Sequence, residues 1–201
     1  MKITSIKQQV KQTHRYSIYV DEKYTFSLSE SALLASGLAS GQELTQDQVE
    51  DYKKLSTDDK LYNRALRYVA MRPRSVWEVS TYLQRKDAPD ALITETIAKL
   101  TRLGLLNDHT YAESFVRDRQ LLRPTSRRKL MLELKKKRIA DEHITAAIES
   151  NEVSEAESLQ QVIAKKRRQL KYQDNDKLMQ YLARQGYRYG DIKTALEQTD
   201  E

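Results

Sequence analysis

Residues 126–148 read SRRKLMLELKKKRIADEHITAAI, and four positions in that stretch decide the fold: Leu130, Leu134, Ile144 and Ile148. The gaps between them are 4, 10 and 4. Apolar pairs four residues apart mark one face of a helix, so the stretch reads as two amphipathic helices joined by a polar turn. The same gaps occur upstream at Val79, Leu83, Ile93 and Ile97, and downstream at Leu178, Leu182, Ile192 and Leu196. The sets begin 51 and then 48 residues apart. Punctuation repeats in step: Pro73 and Ser75 recur as Pro124 and Ser126. The third unit lacks the proline and has Gln173-Asp174-Asn175, all turn-forming, in that role. Repetition at a fixed period predicts a tandem helical array, and such arrays present an extended surface to another macromolecule.

Working outward, each unit gains a leading helix. Leu61, Ala65, Leu66 and Val69 share one side of a helix over about 58–71, and Tyr111, Ala112, Phe115 and Val116 do the same after the cap at Asn107-Asp108. Val162-Ile163 mark the third. The N-terminus differs. Tyr16, Ile18, Val20 and then Tyr24, Phe26, Leu28 alternate with polar residues around Asp21-Glu22-Lys23, which predicts a β-hairpin. Ile6, Gln8 and Val10 suggest a third strand. Ser29 and Gly37 bracket a short helix over 30–36, and Thr45 caps another running to about Leu55. The expected fold is mainly all-α: an elongated array of three three-helix repeats behind a small hairpin-containing module. The expected boundaries are 1–56 for that module and 57–106, 107–152 and 153–201 for the repeats.

Composition agrees. With 39% hydrophobic and 32% charged residues, 5 glycines and 3 prolines among 201, the chain favours helix and has little apolar surface to spare. It has no cysteine, which excludes disulfides, thiolate metal sites and thiol nucleophiles. No apolar h-region follows Met1 and no run approaches a membrane span, so a cytoplasmic protein without membrane contact is expected.

No catalytic constellation emerges. His14, His109 and His143 lack metal-ligand spacing, and no glycine-rich phosphate loop or nucleophile elbow occurs. The histidines read as surface residues, and acidic pairs such as Asp58-Asp59 as helix caps. No catalytic residue, metal or cofactor is expected.

Charge is the informative feature. The net +6 is uneven: residues 1–60 carry −1, 61–122 carry +3, 123–150 carry +4 and 151–201 carry 0. One cluster comprises Arg123, Arg127, Arg128, Lys129, Lys135, Lys136, Lys137 and Arg138, opposed only by Glu133. A second comprises Lys165, Lys166, Arg167, Arg168 and Lys171, and Arg72 and Arg74 flank Pro73. A run of charge on a helix is commonly no more than a solvated face. Clustered as here, it also suits phosphate backbones or a carboxylate-rich groove. Tyr62, Tyr68, Tyr82, Tyr181, Tyr187 and Tyr189 could stack on bases, but helix packing is the commoner use of such residues.

The string Ala65-Leu66-Arg67-Tyr68-Val69-Ala70-Met71-Arg72-Pro73-Arg74-Ser75, then Glu78 and Leu83, resembles the RecX family of bacterial recombination regulators. So do Leu103-Gly104-Leu105-Leu106-Asn107-Asp108, Tyr111-Ala112, Phe115-Val116, Arg119, Ser126, Glu133-Leu134, Lys137 and Gln185-Gly186-Tyr187, over about residues 60–197. Arg138 departs from the pattern, standing where the family often has glycine. The resemblance implies a protein of recombination, DNA repair and the SOS response. It would bind the RecA filament along its groove, inhibit its ATPase and strand exchange, and touch single-stranded DNA secondarily, acting as a monomer. The alternatives from the residues themselves are a non-sequence-specific DNA-binding protein built from helix-turn-helix-like repeats, or a helical adaptor for another acidic partner.

Overall fold

The computed structural model describes residues 1–198. The expected third repeat, 153–201, therefore ends outside the described residues at 199–201. The chain divides into two compact units, one of Met1–Arg72 with Val79–Leu105, the other of Pro73–Glu78 with the chain from Leu106 onward.

In the first unit, β1 (Ile3–Gln8), β2 (Arg15–Val20) and β3 (Lys23–Ser29) form an antiparallel sheet in sequence order. Val20 pairs with Lys23, so the hairpin loop is Asp21-Glu22 alone, and both residues have positive φ (48° and 67°). That matches the two-residue turn whose twist suits a hairpin. Ile18, Val20, Phe26 and Leu28 face a core completed by Ile3, Leu38, Leu44 and Val49. The expected first strand lies earlier than its pattern suggested: Val10 falls beyond β1 and is 95% exposed, while Ile3 supplies the buried anchor. Ser29 caps α1 (Glu30–Ser36) and Gly37 closes it in the left-handed region.

The largest departure is α2, a single helix over Gln46–Met71 where two were expected. The module boundary expected at 56/57 falls inside it. Ser56 and Thr57 do not break the helix because their hydroxyls donate to carbonyls, Ser56 to Ser27 O at 2.6 Å and Thr57 to Lys53 O at 3.2 Å. Asp59 is likewise not a cap. It sits mid-helix and buried, 2.8 Å from Arg15 of β2, and accepts from the Ser29 N–H and hydroxyl. Arg15 also donates to the Ser27 hydroxyl and carbonyl. A buried charge is tolerated when it is paired and hydrogen-bonded, and this network fixes sheet to helix. α2 packs against β3 and α4 (Asp90–Arg102). Tyr68 of α2 stacks on Tyr82 of α3 (Val76–Gln84), centroids 4.3 Å apart.

In the second unit, α5 (Asp108–Leu122), α6 (Arg127–Lys136) and α7 (Asp141–Glu149) enclose Tyr111, Ala112, Val116, Leu130, Leu134, Ile144 and Ile148. Next, α8 (Glu155–Arg167), α9 (Asn175–Arg184) and α10 (Tyr189–Glu197) enclose Leu159, Ile163, Leu178, Leu182, Ile192 and Leu196. Of the periodic positions that decided the fold, only Ile97 is half-buried and the others are buried. Each such side chain contributes roughly 1.5–3 kcal/mol on burial.

The repeats share a turn that the apolar pattern does not reveal. α3, α6 and α9 are followed by a residue of positive φ: Asp87 (58°), Arg138 (58°) and Gly186 (93°). After each, an N–H returns to the helix: Ala88 to Leu83 O, Ile139 to Leu134 O, Tyr187 to Leu182 O. This is the left-handed helix termination that satisfies orphan carbonyls. A φ of 58° is open to a side chain at modest strain, whereas 93° belongs to glycine. Space enforces the same choice, since a Cβ on Gly186 would lie 2.6 Å from Ser126 Oγ.

Gly186→Ala is therefore expected to cost at least about 1–3 kcal/mol from backbone strain alone. Arg138→Gly should stay within about 1 kcal/mol of the parent, because relieved strain offsets added chain freedom. Urea unfolding of both variants checks the contrast. A pH effect follows from Tyr187, whose hydroxyl lies 3.0 Å from the buried Ser158. Burial pushes it up to about 12. Because the folded value exceeds the ordinary one near 10, its stabilising contribution is complete below about pH 10 and is lost as pH rises through about 12. Tyr187→Phe should flatten that part of the stability–pH curve, which melting between those values measures.

Candidate functional site

Two serines organise the surface of the second unit. Ser126 caps α6 by accepting from Lys129 N–H, and its hydroxyl donates to Gln185 O at 2.7 Å. Ser75 accepts from Glu78 N–H and donates to Lys137 O at 3.2 Å. Lys137 and Gln185 each immediately precede a left-handed residue, so the two contacts are equivalent. Both serines are fully buried. Side chains follow the same logic: Glu78 faces Lys137 Nζ at 2.9 Å, and at the next joint Lys129 Nζ faces Gln185 Oε1 at 2.5 Å. Asp108 accepts from Val76 N–H at 2.8 Å, and burial raises its carboxyl pKa from the ordinary value.

Against this frame the expected basic residues separate into classes. Several have structural partners. Lys137 pairs with Glu78, and Arg74 lies 4.0 Å from the same carboxylate. Lys129 bonds Gln185. Arg167 clasps the turn after α8 through Gln173 O and the Asn175 side chain. Lys166 lies over the rings of Tyr172 and Tyr181, and Lys171 over Tyr172. Arg72 forms the C-cap of α2. Arg127 and Lys135 meet Glu155 and Asp141 at 3.8 and 3.0 Å in solvent-exposed pairs, which are worth little and leave both cations available. Arg123, Arg128, Lys136, Arg138, Lys165 and Arg168 are exposed and have no carboxylate partner among the described residues.

The structure gathers part of both clusters into one cleft of about 790 Å³. Arg123, Lys129, Lys165, Lys166 and Arg168 line it, together with Tyr181 and Gln185. Leu121 and Leu122, more than 70% exposed, stand at its margin. Thr125 also lines it and keeps a buried hydroxyl without a hydrogen-bond partner. Arg119, absent from the expected cation set, belongs here: it lies 2.9 Å from Glu133 and 5.1 Å from the Phe115 ring centroid. The one acidic residue opposing the central cluster is thereby neutralised from another helix. Lys136 and Arg138 do not line the cleft.

Of the tyrosines, Tyr187 is buried and Tyr68 and Tyr82 pack on each other, while Tyr62 lies under Lys99 and Tyr189 is 65% exposed. His109 and His143 meet in parallel, centroids 5.5 Å apart, although 34 positions separate them in sequence. No group of three or more metal-ligating side chains occurs among the described residues. Among the same residues no helix is long and apolar enough to cross a membrane.

Comparison with known proteins decides the family. Residues 1–45 match the regulatory protein RecX N-terminal domain, 62–100 the first RecX three-helix domain and 107–148 the second. The chain belongs to the RecX family. It is 32% identical to regulatory protein RecX of Bacillus velezensis over 98% of this chain and 77% of that protein. It is 31% identical to that of Bacillus pumilus over 98% and 76%. Among solved structures, a crystal structure of regulatory protein RecX superposes with a TM-score of 0.74 at 27% identity, covering 98% of both chains. That of RecX from Lactobacillus salivarius gives 0.61 at 30% identity, covering 71% of this chain and 96% of the other. The family is regulatory rather than enzymatic. The N-terminal module, which the resemblance over 60–197 left outside, is part of the family pattern.

The partition of cations gives a stability test. Lys137→Ala leaves the buried Glu78 carboxylate short of a partner and should cost about 1–3 kcal/mol. Arg128→Ala and Lys136→Ala should stay within about 0.5 kcal/mol. Urea denaturation of the three variants distinguishes structural from surface cations.

Proposed function

We propose that this chain binds the RecA recombinase filament and inhibits its ATPase and strand exchange, with single-stranded DNA as a secondary contact. The observation that carries the reading is the cleft of the second unit. It holds exposed cations without carboxylate partners, Arg123, Lys165 and Arg168, beside Leu121 and Leu122. Cations beside exposed leucines suit a protein surface that is acidic and partly apolar, because association needs apolar burial as well as charge complementarity. The action is steric and electrostatic, and the protein works as a monomer in the cytoplasm. All fifteen expected basic residues remain candidates for contact. The burden falls on those without carboxylate partners.

A second reading, binding to DNA alone, is favoured by Arg128, Lys136 and Arg138, exposed cations that lie outside the cleft and have no carboxylate partner among the described residues. Phosphate contact needs no apolar anchor.

The test is the single-stranded-DNA-dependent ATPase of the host recombinase, titrated with this protein, with DNA binding measured in the same buffer. Inhibition is expected well below the concentration that coats free DNA. Changing Arg123, Lys165 and Arg168 together to Ala should weaken it by about tenfold or more. Inhibition only at DNA saturation would establish the second reading instead.

A further inference from the structure

We propose that the first unit carries its own binding site for single-stranded nucleic acid, formed by Lys60, Arg64 and Arg67 of α2 with Tyr24 of β3. The three cations recur at i, i+4 and i+7, so they stand in a row on one helix face. They line a concavity of about 390 Å³ together with Gln9, Gln12, Arg15, Tyr24 and Ser27. No carboxylate lines it. The sequence removes the usual source of neutralisation, since no acidic residue occurs between Asp59 and Glu78. Asp59 itself is turned inward to Arg15 and Ser29. Arg15, in the floor, is therefore already compensated, while Lys60 and Arg64 have no ion-pair partner among the described residues and Arg67 donates only from Nε, to Asn63 O.

Two observations choose nucleic acid over an acidic protein. First, the lining has no aliphatic side chain, and a protein interface without an apolar anchor lacks the part that carries most of its binding energy. Secondly, an aromatic ring stands beside the cations. Tyr24 is 53% exposed, and Tyr19 meets it edge-on, centroids 6.1 Å apart, a geometry in which a neighbouring ring braces it without stacking over it. A cationic track beside a stacking ring is the general design of single-strand sites, with neutral amides such as Gln12 free to donate to phosphate or base. The Arg15–Asp59 network holds β2 to α2, so ring and cations are presented on a braced frame. The site is separate from the cleft of the second unit and shares no residue with it.

The experiment uses the full chain and a fluorescein-labelled oligothymidylate, titrated between about 50 and 200 mM salt. Lys60→Gln, Arg64→Gln and Arg67→Gln, combined, keep good helix formers at exposed positions. Losing three phosphate contacts should reduce the magnitude of the log affinity–log salt slope by about 2. Tyr24→Ala should lower affinity about tenfold with the slope unchanged. Arg123→Ala, Lys165→Ala and Arg168→Ala, combined in the cleft and run alongside, should lower the slope by a separate, additive amount, so failure of one site is distinguishable from failure of the other. An unchanged slope in the triple variant overturns the proposal. So does displacement of the probe by polyglutamate with Tyr24→Ala silent, which would assign the row to an acidic protein segment. Should the triple variant lose its helical signal, Arg64→Gln with Tyr24→Ala carries the same test, with a slope change of about 0.7 expected from the single cation.

Discussion

A buried serine hydroxyl that serves two partners is the contact on which the second unit depends. Ser126 accepts from the first turn of its own helix and donates to the carbonyl of Gln185, where the following repeat turns through Gly186. Ser75 does the same toward Lys137 and Arg138. One oxygen thus fixes where a helix starts and where the next repeat's α-turn must lie. The closeness of the contact also sets what the turn can contain. At 2.7 Å from the carbonyl, Ser126 leaves no room for a Cβ on Gly186. The longer 3.2 Å approach of Ser75 coincides with a turn at φ 58°, which accommodates Arg138. The arginine where the family often has glycine is accordingly a permitted variant of the joint.

The cleft is a product of that joint. Lys129 and Gln185, set by the cap and the turn, line it, as do Lys165 and Lys166 of α8 and Arg168 at its C-cap. A buried polar cluster of Gln120, Thr125, Ser158 and Tyr187 lies beneath, with Ser158 bonded to all three. Three contacts converging on one buried hydroxyl favour a single arrangement, because losing them would leave more buried polar groups unpaired. Cations held on such a frame are presented at fixed spacing, which suits recognition of a regular polymer better than mobile side chains on a loop would.

Much of this was legible in the sequence, and the physical reason is locality. Ser29, Thr45 and Asn107 cap helices as expected, because capping is a contact across three residues or fewer. The apolar pairs reported the cores for the same reason. What escaped were contacts between distant residues. Asp59 reads as a cap until Arg15, 44 residues away, is brought beside it. Ser56 and Thr57 read as a boundary until their hydroxyls find carbonyls. Lys137 and Lys129 read as solvated charge until Glu78 and Gln185 arrive, 59 and 56 positions away. The offset of the repeats held one further signal: Asp87, Arg138 and Gly186 are spaced by the same 51 and 48 as the apolar sets. Without a shared residue type, that spacing showed only in the backbone.

On these contacts, the Ser126 hydroxyl holds the second and third repeats in one arrangement. The chain has no cysteine, so a pair of spin labels can be placed cleanly on the exposed positions Leu132 of α6 and Arg184 of α9. The measurement is the distance distribution between them by pulsed electron resonance, with and without Ser126→Ala. A single narrow distance that broadens or shifts in the alanine variant is the predicted result. An unchanged narrow distribution would show that the hydroxyl does not hold the joint and would assign it to apolar packing alone.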